Sequence, residues 1–164
     1  MKRQLHTRRY WLALATIMAA AAVAFAGPVL AMAKCKQVEG SFTLRSLDPS
    51  ACPSPVGFCV EGTYRGDLKG AARFTGSALI PTADTPTTSV LLATGDNEIT
   101  TRQGLLRTKD AIVFETTGAG NFGEVDTIVG GSEEWAGASG TLRASGTFAG
   151  GSGVGTYQGT ICMP

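Results

Sequence analysis

The sequence has 164 residues, 43% of them hydrophobic, with fourteen basic and thirteen acidic side chains and a single histidine, His6. Four of the basic residues and the histidine fall within the first 33 residues, so residues 34–164 carry ten basic and thirteen acidic side chains, a net charge of −3. That balance excludes the basic footprint of a nucleic-acid-binding protein, and the lack of histidine excludes Ser-His and Cys-His nucleophile pairs and most zinc sites.

Residues 1–33 have the order of a secretory signal peptide. Four Lys and Arg side chains within nine residues precede an Ala-rich apolar run over residues 11–26. Ala31-Met32-Ala33 fits the small-x-small cleavage rule and predicts a mature chain that begins at Lys34. Cleavage after Ala26 or Ala31 is the alternative.

Residues 7–12 partly resemble a twin-arginine signal, so the export route stays open. We expect residues 34–164 to form one secreted or periplasmic domain that has no membrane attachment after cleavage. Their number is sufficient for a single hydrophobic core.

Alternation of apolar and polar side chains is the clearest signal in the first half of this domain. It predicts strands over residues 38–45, 58–67 and 71–80, with a Pro-rich loop over residues 46–57. A three-residue turn, Leu68-Lys69-Gly70, would join the last two strands and pair Thr63 with Thr75.

The period is weaker over residues 88–110. A loop over residues 81–88 and a short apolar run at residues 90–92 precede Gly95-Asp96-Asn97, which resembles a turn. Further strands are predicted over residues 98–107, 111–117 and 122–129, separated by turns at Lys109-Asp110 and at residues 118–121.

The stretch from Ile128 to Leu142 predicts a strand end, a glycine-permitted turn and a new strand. Trp135, flanked by small residues, is expected to close one end of a barrel. Beyond it, a turn at Gly151-Ser152 predicts that Tyr157 lies across Gly146, an aromatic side chain covering a glycine in the neighbouring strand.

Eight or nine short strands with Gly and Pro punctuation indicate an all-β fold. Glycines within the strands, on the apolar face, favour a barrel over the alternative, a β-sandwich, because tightly coiled strands need such kinks. These glycines are Gly40, Gly62, Gly66, Gly76 and Gly146.

Residues 128–142 and the closing Gly155–Ile161 segment resemble the allene oxide cyclase barrel-like group, which includes the dirigent proteins. Its hallmark is a Gly-Gly-Thr-Gly-x-Phe run followed by Ala-x-Gly and a closing Tyr-x-Gly strand. The residues similar in kind are Gly130, Gly131, Ser132, Trp135, Ala138, Gly140, Tyr157 and Gly159, whereas Glu133 stands in place of the fourth glycine. The resemblance implies a small eight-stranded antiparallel β-barrel with an apolar cavity, and it carries over no catalytic residue.

Four cysteines in an exported domain predict two disulfides. The first and last strands of a closed antiparallel barrel are neighbours, which favours Cys35–Cys162, and Cys52–Cys59 would then bridge the Pro-rich loop. The alternative is Cys59–Cys162 with Cys35–Cys52.

No catalytic residue is assigned, and Asp126 is the single weak candidate for a general acid or base. The favoured interpretation places Glu124 and Asp126 on the outer face, with Val125, Thr127 and Val129 inside. Acidic residues 96, 98, 133 and 134 lack calcium-loop spacing, so we expect neither a metal nor another cofactor. Five aromatic side chains either line a ligand cavity or form a solid core: Phe42, Tyr64, Phe74, Trp135 and Tyr157.

Two functional classes follow. The first, which the sequence favours, is a non-catalytic barrel that binds a small apolar molecule or serves as a structural or interaction module. The second is a cofactor-free isomerase or cyclase that confines a reactive apolar substrate. An inward-facing Asp126 or Glu beside an open cavity would favour the enzyme, whereas a filled barrel would favour the structural module.

Overall fold

A computed structural model describes residues 34–82 and 89–164. The predicted signal peptide and most of the predicted loop over residues 81–88 therefore lie outside the described residues. The described part consists of eight strands and two short 3-10 turns, Pro49–Ala51 and Glu133–Trp135. The strands are β1 (Lys34–Ser46), β2 (Cys59–Gly66), β3 (Gly70–Pro81), β4 (Val90–Thr101), β5 (Gly104–Glu115), β6 (Asn121–Gly131), β7 (Ser139–Ala149) and β8 (Ser152–Met163).

The eight strands form one closed antiparallel barrel in chain order. Closure comes from β1, which pairs with β2 on one side and with β8 on the other. The prediction of a small eight-stranded barrel is thus confirmed, and the sandwich is excluded. Within the described ranges, no helix is long and apolar enough to cross a membrane.

The β2–β3 hairpin differs from the prediction. Thr63 pairs with Ala71 and not with Thr75, so five residues, Arg65 to Lys69, connect the paired positions. The longer connection lets Leu68 fold into the barrel, where it is fully buried and its backbone N–H donates to the Tyr157 hydroxyl at 2.8 Å. Burial of a leucine and pairing of a buried hydroxyl outweigh the compact turn.

The predicted turns at Gly95-Asp96-Asn97 and Lys109-Asp110 are wrong. Both segments lie within long strands, β4 and β5, which pair with each other from Val90–Glu115 to Thr101–Gly104. In each strand one polar residue faces outward and its neighbour faces inward, as with Asp96 and the buried Asn97. In the sequence these inward-facing polar side chains resembled turn residues, because a strand is predicted from apolar residues on its inner face.

The β7–β8 turn lies one residue earlier than predicted, because Gly150 and Gly151, with φ of 60° and 78°, are its two central residues. This geometry is the left-handed hairpin turn that glycine favours. Tyr157 consequently pairs with Ala144, and the glycine that it covers is Gly40 on its other side, in β1. Tyr157 therefore covers a glycine, as predicted, but this glycine is Gly40 and not Gly146.

Trp135 closes the end of the barrel at which β6 ends. It is 2% exposed, and its indole Nε1 donates to Thr101 Oγ1 at 3.0 Å. Glu133, in the turn before it, has φ of 54° and is the one non-glycine residue with positive φ among the described residues. Buried side chains that fill this end include Leu68, Ile99, Leu106, Leu142 and Ile161.

The two disulfides are Cys35–Cys162 and Cys52–Cys59, which confirms the favoured pairing. The first joins residues that face each other across β1 and β8. The second closes the Pro-rich loop before β2. Two disulfides are compatible with an oxidising compartment.

Candidate functional site

A cavity occupies the end of the barrel opposite Trp135. All six phenylalanines of residues 34–164 line it. The cavity has a volume of about 60 Å³. The six side chains are Phe42, Phe58, Phe74, Phe114, Phe122 and Phe148.

Alternation along the strands directs these rings inward, and interior glycines provide the space for them. A Cβ atom at Gly95 would lie 2.5 Å from Phe74 Cε2, and one at Gly155 would lie 2.7 Å from Phe42 Cε2. Neither position therefore accepts a side chain without displacement of a ring. Of the glycines that favoured a barrel in the sequence, Gly76 also adjoins this wall, because a Cβ atom there would lie 3.2 Å from Phe58 Cβ.

The Cys52–Cys59 loop forms one side of the mouth. Its Ser54 hydroxyl donates to the Gly76 carbonyl oxygen at 2.6 Å and accepts from the backbone N–H of Phe58 at 3.2 Å. Phe58 is thereby held with its ring centroid 5.5 Å from that of Phe74 and 5.8 Å from that of Phe114. Such separations are typical of favourable aromatic pairs.

The floor of the cavity is polar. Glu124, Asn97 and Tyr64 line it, and Asp110 and Asp126 lie behind Glu124. Adjacent strands bring these residues together, because Asp110 in β5 pairs directly with Asp126 in β6. Carboxylate oxygens of Glu124 and the two aspartates lie within 4.8 Å of one another, a spacing that a cation can occupy.

We define Asp110, Glu124 and Asp126 as the carboxyl cluster, and no basic side chain of residues 34–82 and 89–164 balances it. All ten Lys and Arg side chains of residues 34–164 are exposed. Burial raises the pKa of Asp126 to about 8, with the Asp110 charge adding to the effect. Burial, followed by the charge of a neighbouring carboxylate, also raises the pKa values of Asp110 and Glu124 well above their ordinary range.

Hydrogen bonds organise the cluster in part. Thr108 Oγ1 donates to Asp110 Oδ1 at 2.5 Å. Burial and the nearby carboxylates raise the pKa of Tyr64, so that its phenol stays neutral. Three buried oxygens have no hydrogen-bond partner among the described residues: Asn97 Oδ1, Asp110 Oδ2 and Asp126 Oδ1.

The favoured interpretation of residues 124–129 is wrong. Asp126 is 1% exposed, whereas Val125 and Val129 are 50% and 52% exposed on the outer face. The alternation of inward and outward side chains is correct, but the apolar set was assigned to the inside, whereas this part of the barrel interior is polar. Phe122 and Ile128 are an even number of positions from Asp126, so the three side chains lie on the same face of β6. These two apolar residues are the signal that places Asp126 on the inner face.

The five predicted aromatic residues separate into two groups. Phe42, Tyr64 and Phe74 line the cavity, whereas Trp135 and Tyr157 lie outside it and pack in the core. Acidic residues Asp96 and Glu98 form outer-face ion pairs with Lys109 and Arg107. Sequence reasoning missed Phe58, Phe114, Phe122, Phe148, Asn97, Asp110 and the inward direction of Glu124.

Fold and site together define a small closed β-barrel with an aromatic cavity and an acidic floor. Comparisons of the chain with protein-family models, with curated proteins and with solved structures found no match.

Proposed function

We propose that this barrel binds a small, largely apolar molecule in the phenylalanine-lined cavity. The observation that supports this most strongly is the convergence of all six phenylalanines on one open cavity, while the other end of the barrel is solidly packed. A mainly apolar and aromatic lining with a few polar groups is typical of small-molecule sites.

A neutral fluorescent apolar probe, N-phenylnaphthylamine, tests this proposal. We expect saturable binding with one site per chain. Ala72 lines the cavity, and its neighbour Ala71 is exposed on the outer face of β3, which provides a matched pair of variants. Ala72→Phe should weaken binding at least tenfold by filling the cavity, and Ala71→Phe should leave it unchanged.

Probe binding that is equal in the two variants would contradict the proposal. Thermal unfolding shows whether Ala72→Phe is folded, and Ala72→Leu is the smaller replacement if it is not. Loss of binding in Ala71→Phe alone would place the probe on the outer surface.

A second candidate function is cofactor-free isomerisation or cyclisation, and one observation favours it. Glu124, which lines the cavity, is the member of the carboxyl cluster that a ligand can reach. Burial raises the pKa of the Glu124 carboxyl group, and a carboxyl group with a raised pKa can donate a proton as a general acid and, once ionised, accept one as a general base. In such a reaction Glu124 protonates one substrate atom, a proton leaves another for a carboxylate of the cluster, and no net charge is transferred.

Nitrobenzisoxazole tests the catalytic capacity directly. A carboxylate base removes its C–H proton, the N–O bond breaks, and a coloured cyanophenolate is released. We expect saturable turnover that rises with pH as Glu124 loses its proton and that Glu124→Gln abolishes. Outer-face Glu98→Gln is the control, and the same rate in both variants would exclude Glu124 as the base.

Membership of the allene oxide cyclase barrel-like group and export from the cell belong to the same proposal. Their support is the closed eight-stranded barrel, the positive φ of Glu133 where the hallmark has glycine, and the two disulfides.

Intact-mass measurement on protein from the culture medium or the periplasm tests export. We expect a chain that begins at Lys34, and a full-length membrane-bound product would contradict export.

A further inference from the structure

We infer that the ligand of the aromatic cavity is an apolar amine, whose ammonium group binds on the floor at Glu124 and Asn97, in front of the two buried aspartates. This inference rests on the proposed binding function and specifies the chemical class of the ligand. It follows from the hydrogen-bonding capacity of the floor, its charge and its position below the aromatic rings.

The unpartnered atoms of the floor are all acceptors in the ionised site. Asn97 is 5% exposed and lines the cavity, yet its Oδ1 has no donor among the described residues, and the same is true of Asp110 Oδ2 and Asp126 Oδ1. A buried acceptor without a donor is costly. A primary ammonium group offers three N–H donors and no acceptor, so it complements such a floor.

The charge of the floor points to the same class of ligand. Three carboxyl groups share the site and the ten Lys and Arg side chains of the described residues are all exposed, so any compensating positive charge must come with the ligand or as protons. Protons alone would leave Asn97 Oδ1 without its own donor unless a carboxyl hydroxyl reached it. An anionic ligand would meet repulsion from the cluster.

Spacing permits an ammonium nitrogen at this position. N–H···O bonds to carboxylates are about 2.8 Å long, which separates acceptors around a tetrahedral nitrogen by about 4.6 Å. The three carboxylate oxygens lie within 4.8 Å of one another, so they do not exceed this separation by more than about 0.2 Å and one nitrogen can contact all three. Tyr64 and the phenylalanines next to the floor add faces that attract a cation.

The aromatic wall distinguishes an organic cation from a bare metal ion. A metal ion could use the carboxyl oxygens but would leave the six phenylalanine rings without a role. An amine with an aromatic or aliphatic body uses both parts, because its body occupies the cavity while its nitrogen reaches the floor. The experiment below distinguishes metal binding from amine binding.

The experiment compares three probes of nearly equal size by isothermal titration calorimetry at neutral pH: phenylethylamine, phenylethanol and phenylacetate. We expect the amine to bind at least tenfold more tightly than the alcohol and the anion to bind least. Glu124→Gln should lower the affinity for the amine by a larger factor than the affinity for the alcohol, so that the preference for the amine is lost. Asp126→Asn serves as a second floor variant, and Glu98→Gln is the outer-face control.

Equal affinity for amine and alcohol would overturn the inference and leave the proposed apolar site standing. The same holds if neither phenyl probe binds while N-phenylnaphthylamine still does. If that larger probe also fails to bind, the proposed function falls. Calcium or manganese chloride that binds stoichiometrically, requires Glu124 and is not displaced by the amine would identify a metal site and overturn the inference.

Discussion

Asp110 and Asp126 face each other directly across the β5–β6 pair, and both carboxyl groups are buried with no basic partner. Burial raises the pKa of Asp126 from 3.8 to about 8. An acid whose pKa is raised on folding holds more protons in the folded chain than in the unfolded chain between those two values. Its stabilising contribution is therefore complete below about pH 4 and is lost as the pH rises to about 8.

The first prediction concerns this pH dependence. The free energy of unfolding of the wild-type protein should fall between about pH 4 and about pH 8. Asp126→Asn should show a smaller fall and be more stable than the wild type above pH 8, because a neutral amide needs no proton. Outer-face Asp96→Asn is the control and should retain the wild-type slope. Urea unfolding across this range measures it, and an unchanged slope in Asp126→Asn would contradict the assignment.

The second prediction concerns Trp135. Because its ring is buried at the closed end, Trp135→Ala should lower the free energy of unfolding by about 3–5 kcal/mol. Thr101→Val removes the acceptor of the indole N–H together with the hydroxyl's hydrogen bonds to the Gly104 carbonyl and the Gln103 N–H, and should cost about 1–3 kcal/mol. Urea midpoints provide the measurement, and an unchanged midpoint in Trp135→Ala would show that the ring does not close the barrel.

The third prediction compares two glycines in the strands. A Cβ atom at Gly40 would clash with the backbone carbonyl oxygen of Arg65 and lie 2.5 Å from the Tyr157 hydroxyl oxygen, whereas one at Gly123 would meet nothing within 4 Å. Gly40→Ala should therefore destabilise the protein by about 1–3 kcal/mol. Gly123→Ala should change stability by at most about 0.5 kcal/mol. Equal thermal midpoints for the two variants would mean that Tyr157 does not cover Gly40.

The fourth prediction concerns the disulfides. In the chain-entropy model, Cys35–Cys162 contributes about 5 kcal/mol and Cys52–Cys59 about 2.5 kcal/mol as upper values, because the first closes a far longer loop. Paired serine replacements should follow that order in urea unfolding. Loss of the short bridge should also weaken probe binding, since it holds the loop that positions Phe58. A larger loss of stability from the short bridge would contradict this order.

The sequence predicted correctly those strands of the barrel in which one face is uniformly apolar. Residues 38–45 show this, and the neighbouring first and last strands then led to Cys35–Cys162. It did not predict continuous strands through Asn97 and Asp110, because period-two patterns assume an apolar interior. The same assumption assigned the wrong phase to Asp126. The errors therefore coincide with the polar floor of the cavity, where local sequence rules are expected to fail if the site is functional.

The errors in the two predicted hairpin registers had a different cause. Leu68 is buried by a longer connection and Gly150-Gly151 forms the last turn, and both choices depend on contacts with strands distant in the sequence. Leu68 needs Tyr157 as a partner, and Tyr157 needs Gly40 beneath it. Turn rules applied to a single hairpin do not include such contacts.

The central claim is that the phenylalanine-lined cavity is the place where a ligand binds. Nuclear Overhauser contacts between bound N-phenylnaphthylamine and the aromatic protons of the protein measure this most directly. We predict contacts from the probe to the rings of Phe42, Phe114 and Phe122, and none to Trp135. Contacts confined to the outer-face methyl groups of Val113, Val125 or Val129 would contradict the account.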